Sequence, residues 1–412
     1  MADTAAHLVD RVFPIAPVRQ WVLSLPFPLR YRISYDAALL SDVLNVFIRA
    51  LFGELRRRAR QLLDLRSGQC GAVTFVQRFG DALNANPHFH CLVLDGVFAA
   101  GENGRPKFHQ LPAPEDEEVL RLTTLVAERV QSLLKRRGFD GGPDAQEADP
   151  LSTTDPGMAS LLANSVRRKI AVGSNAGRGL VRLGDRIDGD DLDAFQSPRC
   201  AMVSGFSVHA NVSIEARDRD RLERLCRYAG RPAVATERLS ELPDGRLLYH
   251  LKRPWRDGTS AVIFERLDLI AKLAVLTPAP RAHLTRYHGI FGPSAPWRSL
   301  IIPTAAANEE FKSDTGSDPT PVESSTIPNA EGQTRASKPE KPRPRNYAWS
   351  ELMKRVLLVD VLLCEICGGA MKILAAIHPP DTTKILQCLG LPTRPPPLAP
   401  AVSGLAFPID PF

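Results

Sequence analysis

Two histidines stand two residues apart in the segment Asn86-Pro-His-Phe-His-Cys-Leu-Val-Leu-Asp-Gly96. The segment is almost wholly apolar after His90, which predicts a buried β-strand, and a proline is tolerated at the start of such a strand. Residues i and i+2 of a strand lie on the same face, about 6.8 Å apart, so both imidazoles can reach one ion. The spacing therefore predicts that His88 and His90 bind a divalent metal. The other interpretation is a pair of half-exposed histidines at the start of a strand.

A third metal ligand is expected from a neighbouring strand, predicted over residues 72–79. Gln77 shares a face of that strand with Val73, Phe75 and Phe79, so it is a polar residue among apolar ones. A buried amide without a partner is costly, so Gln77 either bonds to backbone or binds the metal. Two imidazoles and one amide oxygen leave open positions on a hard cation, which suits Mg²⁺ or Mn²⁺.

A predicted helix over residues 217–229 carries the candidate nucleophile, Tyr228. The predicted buried stripe of this helix consists of Leu222, Leu225, Cys226 and Ala229. Tyr228 lies off the stripe, together with Arg217, Arg221 and Arg224. A tyrosine attacks a phosphate as its phenolate, and guanidinium groups favour that charged form and grip the phosphate. The predicted phosphate-binding residues are Arg217, Arg221, Arg224, Arg227 and Arg231. The other interpretation is a Tyr–Arg stack on a solvated helix face.

Together these features predict a metal-activated attack by Tyr228 on a DNA phosphate, with the 5′ phosphate kept on the tyrosine. Because the energy of the broken bond stays in the new ester, strand transfer would need no ATP. Tyr287, predicted to lie in a loop beside Arg286 and His288, is the second candidate for the nucleophile.

The elements that position these residues predict an α+β fold. Long helices are expected over 41–65, capped by Ser41 or Asp42, and over 119–135. Strands are expected over 20–25, 72–79 and 89–98, and a hairpin around Asp257-Gly258 joins strands over 247–251 and 260–265. This mixture favours an antiparallel sheet covered by helices.

Composition divides the chain of 412 residues into a body over 10–303 and a small C-terminal unit over 347–390. The segment 304–346 is rich in Ser, Thr, Pro and charged residues, which predicts a disordered linker. A shorter Gly- and Pro-rich linker is expected over 139–155 inside the body. The residues 391–412 form a Pro-rich tail.

Charge and cysteine usage limit the classes of protein. The net charge of +6 is mild, but 41 of the 52 basic residues are arginine and several occur in clusters, as expected of a partner with phosphates. No apolar run approaches the ~20 residues that span a bilayer, and the N-terminus carries no signal peptide. Seven scattered cysteines indicate a reducing cytoplasm.

Cys364-Glu-Ile-Cys367-Gly-Gly is similar to half of a zinc knuckle, with Cys388 and His378 as the nearest further ligands. The alternative is a purely apolar mini-domain.

The segment NPHFHCLVLDGVF resembles the His-hydrophobic-His box of the HUH endonucleases. With RLERLCRYAGRPAVATERL, GRLLYHLKRPWRDGT and HLTRYHGIFGP, the chain closely resembles the IS-ninety-one-like rolling-circle transposases, including the IS-eight-hundred-and-one-like branch. The resemblance extends from RQWVLSLPFPLRY to the LGLP near residue 392. It implies an HUH-nuclease-like fold that acts on single-stranded DNA, with His88 and His90 as metal ligands, Gln77 as the third ligand and Tyr228 as the nucleophile.

The chain departs from that family in two places. Two-tyrosine members carry a second tyrosine at the position where this chain has Arg224. The single-tyrosine branch of the family also lacks that second tyrosine. Members also usually carry an N-terminal cysteine-rich zinc domain, and this chain is expected to start at an internal methionine after it. One alternative function is therefore a DNA-binding remnant without catalysis. Another is a metal-dependent phosphodiesterase that acts through water.

Overall fold

The computed structural model of the protein describes residues 1–101, 103–139, 149–184, 198–302, 347–372 and 377–393. They divide into two units, a larger one of Ile15–Ile301 and a smaller one of Met1–Pro14 with Ile302–Pro397. The larger unit thus ends close to the predicted end of the body, whereas the first residues of the chain belong to the smaller unit. The predicted linker over 304–346 and most of the tail lie outside the described residues.

In the described part of the larger unit, the strands are β1 (Val18–Ser24), β2 (Gly71–Phe79), β3 (Ala85–Leu94), β4 (Gly96–Ala100), β5 (Pro106–Gln110), β6 (Val181–Gly184), β7 (Cys200–Val203), β8 (Phe206–Ile214), β9 (Leu239–Glu241), β10 (Leu247–His250), β11 (Thr259–Phe264) and β12 (Thr285–Gly289). The helices are α2 (Phe27–Tyr35), α3 (Ala37–Leu63), α4 (Asp116–Arg136), α5 (Pro150–Thr154), α6 (Pro156–Val166), α7 (Arg219–Ala229), α8 (Arg266–Leu276) and α9 (Arg298–Ile301). The smaller unit contains α1 (Ala2–Arg11), α10 (Trp349–Leu357) and α11 (Asp381–Cys388).

The main sheet has the strand order β12-β2-β3-β1-β8-β7, and every neighbouring pair is antiparallel. On one face, Trp21, Leu23, Phe89 and Cys91 pack with side chains of α3 and α4 into the largest apolar core. This arrangement confirms the predicted α+β fold with an antiparallel sheet covered by helices. Because side chains alternate along each strand, residues such as His88 and His90 lie on the other face.

Helix α3 begins earlier than its sequence predicted. Asp36, not Ser41 or Asp42, is its N-cap, and the Asp36 side chain accepts a hydrogen bond from the backbone N–H of Leu39 at 2.8 Å. The reason is that the buried stripe of α3 already starts at Leu39 and Leu40. An aspartate before this stripe satisfies one of the N–H groups that the first turn leaves without an intrahelical partner.

The strand predicted over 89–98 is longer and is interrupted. It starts at Ala85, and Asp95 separates β3 from β4. The Asp95 carboxylate accepts hydrogen bonds from Arg19 of β1 at 2.6–3.1 Å, and Arg19 also donates to the backbone oxygen of Ala210 in β8 at 3.0 Å. Both charged side chains are buried, and their contacts connect β1, β8 and the junction of β3 with β4.

A second sheet, β6-β11-β10-β9, forms a separate core with α6 and α8. The predicted hairpin at Asp257-Gly258 joins β10 and β11, and Gly258 has a φ of 80°, which favours glycine.

The linker predicted over 139–155 is only partly described, and its C-terminal part is structured rather than a linker. Asp149 accepts hydrogen bonds from the hydroxyls of Tyr31 and Tyr35 at 2.5 and 2.6 Å and precedes the short helix α5.

In the smaller unit, half-buried polar contacts join α1 to α10 and to Tyr347, which precedes α10. The Asp10 carboxylate accepts hydrogen bonds from both terminal nitrogens of Arg355 at 2.6 and 2.8 Å and from the Tyr347 hydroxyl at 2.9 Å. Among the described residues, no helix is long and apolar enough to span a bilayer.

Candidate functional site

The histidine pair lies on β3, an inner strand of the main sheet. The two rings are adjacent, with centroids 5.0 Å apart. His88 Nδ1 lies 2.7 Å from the backbone oxygen of Asn86. A carbonyl oxygen can only accept, so Nδ1 carries the proton and the lone pair of His88 is on Nε2. Such a bond fixes the orientation and tautomer of a metal-binding histidine.

His90 is buried, and its Nδ1 lies 2.7 Å from Nε2 of the buried Gln20 on β1. This contact also leaves Nε2 of His90 to face the site. A His90 that binds a cation through Nε2 carries its proton on Nδ1, so the Gln20 amide then turns its oxygen to the ring. Gln20 was not predicted as a site residue, because only the pairing of β1 with β3 brings it to the histidine.

Burial favours the neutral form of both imidazoles, which is the form that binds a metal. Burial lowers the pKa of His88, and burial together with the charges of His88 and Arg231 lowers the pKa of His90 well below its ordinary value. A metal replaces protons on its ligands, so neutral histidines do not have to lose a proton before they bind it.

Gln77 lies directly beside His88, since the two residues are opposite each other in the pairing of β2 with β3. Its side chain is buried, and Nε2 donates to the backbone oxygen of Ala229 at 2.7 Å. That oxygen is at the last residue of α7, where a helix leaves its carbonyls without intrahelical partners. Oε1 of Gln77 is buried without a hydrogen-bond partner among the described residues. The amide therefore holds the end of α7 with its nitrogen, while its oxygen has no hydrogen-bond partner among the described residues.

These donors fit a divalent cation. Among the described residues, no three His, Cys, Asp or Glu side chains come together in an arrangement that could hold a metal. A metal on the histidine pair would therefore need a donor of another type. The orphaned Oε1 of Gln77, next to His88, is such a donor, and an amide oxygen suits Mg²⁺ or Mn²⁺.

Tyr228 is next to this set because α7 packs on the histidine face of the sheet. Its ring is 6.0 Å from the ring of His90, centroid to centroid, in an edge-on arrangement. The predicted stripe of α7, Leu222, Leu225, Cys226 and Ala229, is buried as expected. Tyr228 is therefore held by the packing of its own helix and by the contact of Gln77 with the helix end.

Two cations lie over the Tyr228 ring. The Cζ of Arg231 is 4.5 Å from the ring centroid, and the Nζ of Lys252 is 4.6 Å from it. Arg231 was among the predicted phosphate-binding residues, whereas Lys252 was not. Lys252 follows β10, far away in the sequence, and no local spacing connects it to Tyr228.

The other predicted arginines have different surroundings. Asp218 caps α7 by accepting from the backbone N–H of Arg221 at 3.0 Å, so the helix starts at Arg219 and Arg217 precedes it. The prediction that Arg217 lies on the helix face with Tyr228 is therefore wrong. Arg227 donates to the buried Glu223 at 2.8 Å, and Arg224 is exposed.

Positive charge is concentrated around this site. Burial and the charges of Arg231, Arg253 and Arg238 lower the pKa of Lys252. Arg231 and Arg30 also act on His88. Cations held this closely repel one another, so an anion bound among them would relieve the repulsion.

Tyr287 lies in strand β12, not in a loop. The short strand pairs with β2, and Tyr287 is opposite Val73. It is on the same face as Gln77 but four residues away along β2, about 13 Å at the usual rise of a strand. The sequence of β12 is short and polar, so alternation did not reveal it.

The structure brings Cys364 and Cys367 of the predicted zinc set together in one turn. Cys388 lies on α11. The structure does not group it with the other two in a metal-binding arrangement, within the residues described.

The region that matches a known protein family lies in the larger unit. The family model described as Putative transposase (Y2_Tnp) matches residues 71–296, more than half of the chain. The match includes Gln77, both histidines, Tyr228 and Lys252. No curated protein and no solved structure matches the chain. The chain belongs to this transposase family, and its function is accordingly the processing of DNA.

Proposed function

We propose that this transposase nicks single-stranded DNA and transfers the strand through a 5′-phosphotyrosine on Tyr228, in rolling-circle transposition of an insertion sequence in the bacterial cytoplasm. One observation carries the proposal: Tyr228 lies edge-on to His90 with Arg231 and Lys252 over its ring. We infer that a phosphate binds among this nucleophile, the two imidazoles and the two cations.

The surroundings of the other tyrosines also favour Tyr228. Tyr249 is fully buried, and its hydroxyl accepts from Arg238 at 2.7 Å. Tyr31 and Tyr35 donate to Asp149, and burial with these hydrogen bonds raises the pKa of each hydroxyl. Tyr347 belongs to the smaller unit and donates to Asp10. Tyr287 remains the second candidate, on the same face of the sheet but further from the histidines.

In the proposed reaction, the Tyr228 oxygen forms a bond to phosphorus while the bond from phosphorus to the 3′ oxygen breaks. The phenol loses its proton, and the leaving 3′ oxygen gains one. The 5′ phosphate remains on the tyrosine as an ester. A DNA 3′-hydroxyl can reverse the attack, which releases Tyr228 and joins the strands without an external energy source.

The residues have separate roles in this reaction. When bound, Mg²⁺ or Mn²⁺ on His88, His90 and Gln77 would polarise the scissile phosphate. Arg231 and Lys252 orient the Tyr228 ring. Their charges also stabilise the extra negative charge that a phosphate develops during the attack.

The crowded cations support a nucleic acid as the substrate. Arg231 and Lys252 lie over the tyrosine ring. The charges of Arg231 and Arg30 act on His88, and those of Arg231, Arg253 and Arg238 act on Lys252, with Asp81 as an opposing negative charge at both. Contacts of this kind bind phosphates with little sequence preference and weaken as salt rises. We therefore expect binding of single-stranded DNA to depend on salt more than on sequence.

A covalent adduct tests the proposal directly. The full chain is incubated with labelled single-stranded DNA and Mn²⁺, and a denaturing gel shows whether DNA stays attached to protein. Tyr228→Phe keeps the ring and its packing but removes the attacking oxygen, so the adduct should disappear. Tyr287→Phe is the matched control and should leave the adduct unchanged. Peptide mass spectrometry that finds the nucleotide on Tyr287 would reject the assignment.

The histidines provide a second test. His88→Ala with His90→Ala should abolish the adduct while binding of single-stranded DNA persists, because backbone charge supplies most of the affinity. Adduct formation by this double variant at the wild-type rate would contradict the metal site. Cleavage without an adduct would instead indicate a phosphodiesterase that uses water, and binding without cleavage a DNA-binding remnant.

A further inference from the structure

The smaller unit carries a pair of thiols that the proposed reaction does not use. Cys364 and Cys367 lie in a tight turn that two backbone hydrogen bonds close, from the N–H of Gly368 to the oxygen of Cys364 and from the N–H of Cys364 to the oxygen of Gly369, both at 2.9 Å. Gly368 has a φ of 68°, a conformation that favours glycine. The turn is therefore built by the sequence Cys-x-x-Cys-Gly-Gly itself.

This turn directs hydrogen-bond donors at sulfur. The backbone N–H groups of Cys367 and Ile366, together with the Cys367 side chain, lower the pKa of the Cys364 thiol. The backbone of Gly369 lies so close that a Cβ there would be 3.3 Å from Sγ of Cys367. N–H groups directed at a sulfur stabilise the thiolate that a metal requires.

The described residues supply half of a zinc site at this place. A closed zinc site takes four ligands, most often thiolates and imidazoles. All seven cysteines and nine histidines of the chain lie within the described residues. In that part of the chain, no third His, Cys, Asp or Glu completes a metal-binding group with the pair. Two ligands have to come from elsewhere.

We propose that one zinc ion joins two copies of the chain, with Cys364 and Cys367 of each copy as its four ligands. A second copy is the simplest source, because a two-fold axis through the metal presents the same two thiols from the other side. Cys367 is exposed and Cys364 half-buried, so both sulfurs can reach a partner.

Apolar side chains next to the thiols fit the same partner. Ile366, between the two cysteines, is 96 % exposed. Leu363, adjacent to Cys364, is also exposed. A two-fold contact at the metal would cover these side chains with their own equivalents, which is the type of self-complementary surface that a symmetric dimer uses.

The bridge has a consequence for a transposase in which each chain is proposed to use one nucleophile, Tyr228. A zinc-bridged pair contains two copies of Tyr228, so a second strand transfer could use the second chain. The zinc site itself does not depend on the reaction at Tyr228, and the two can be tested separately.

The experiment measures zinc content and mass on the full chain, purified with a reductant that keeps the thiols from forming a disulfide. We expect one zinc for every two chains and twice the chain mass of 45.2 kDa by light scattering. An excess of chelator should remove the zinc and halve the mass. Cys364→Ser with Cys367→Ser should have the same effect, whereas Cys388→Ser and Tyr228→Phe should change neither quantity.

Several results would overturn the inference. One zinc per monomer would place all four ligands in a single chain, and loss of zinc in Cys388→Ser would make Cys388 one of them. A dimer that persists after the chelator has removed the zinc would show that the metal does not join the copies. Failure to bind added zinc under reductant would reject the site.

Discussion

Gln77 performs two tasks with one amide, and its substitution should separate them. Nε2 donates to the Ala229 oxygen at 2.7 Å, and Oε1 is the orphaned acceptor beside His88. In Gln77→Met the side chain keeps its length and apolar stem but loses both polar atoms. The end of α7 then loses its tether, and the metal loses its proposed third ligand.

The stability cost follows from the buried carbonyl. A buried acceptor left without its donor costs about 1–3 kcal/mol. For a unit of this size, that lowers the Tm by roughly 2–10 °C. Thermal unfolding measures this effect, and Gln110→Met, at an exposed position of β5, is the matched control and should shift the Tm by much less.

Metal binding and adduct formation measure the second task. We expect Gln77→Met to bind Mn²⁺ more weakly, by about 10–100-fold as is typical when a metal site loses a supporting group, and to form the adduct more slowly. Gln77→Glu keeps an oxygen for the cation but sets a carboxylate against the Ala229 oxygen. It should therefore lose as much stability while high Mn²⁺ restores part of the adduct.

The two readouts can refute the reasoning independently. An unchanged Tm in Gln77→Met would show that the contact with Ala229 does not stabilise the fold. A lower Tm with unchanged Mn²⁺ affinity and adduct rate would show that Gln77 is a tether only, and the metal would need another third ligand.

Three further predictions use other parts of the larger unit. Lys252→Met should slow adduct formation by about 100–1,000-fold, as expected when one charge-stabilising group is lost, with little change in DNA affinity. Lys107→Met, on the exposed side of β5, is the control, and equal rates would exclude a role for Lys252. A site with two histidines of ordinary pKa would bind Mn²⁺ about tenfold more weakly at pH 6.0 than at pH 7.5. Because burial lowers the pKa of both His88 and His90, titration calorimetry should show a much smaller loss of Mn²⁺ affinity. Arg19→Met leaves the buried Asp95 charge without its partner and should lower the free energy of unfolding by about 3–5 kcal/mol in urea titrations, whereas the exposed Arg129→Met should have little effect.

Local patterns predicted the elements on which the site is built. Apolar runs predicted β2 and β3, and the stripe of Leu222, Leu225 and Cys226 predicted α7, because each pattern reflects burial against one core. The identities of the histidines, Gln77 and Tyr228 also follow from these patterns. Burial on one face leaves few places for a polar side chain, so those that occur there are conspicuous.

The contacts between distant segments were not predictable in the same way. Gln20 meets His90 through the pairing of β1 with β3, and Lys252 reaches Tyr228 from the end of β10. Neither has a local pattern, because long-range packing decides which polar side chains meet. The cap of α3 shows the same limit on a smaller scale, since three acceptable capping residues lie within seven positions and only the packing of Leu39 selects Asp36.

The histidines on β3 and Tyr228 on α7 differ in the local stability of the elements that carry them. The histidines lie on an inner strand that is paired on both sides, so exposing them requires both ladders to open. Tyr228 is the penultimate residue of α7, and displacing it requires only the last helical turn and the Gln77 contact to break. Amide hydrogen exchange should therefore be slow at His90 and faster at Ala229 and Gly230. A DNA strand attached to Tyr228 could then move together with the end of α7, while the hydrogen bonds of the β-sheet remain intact.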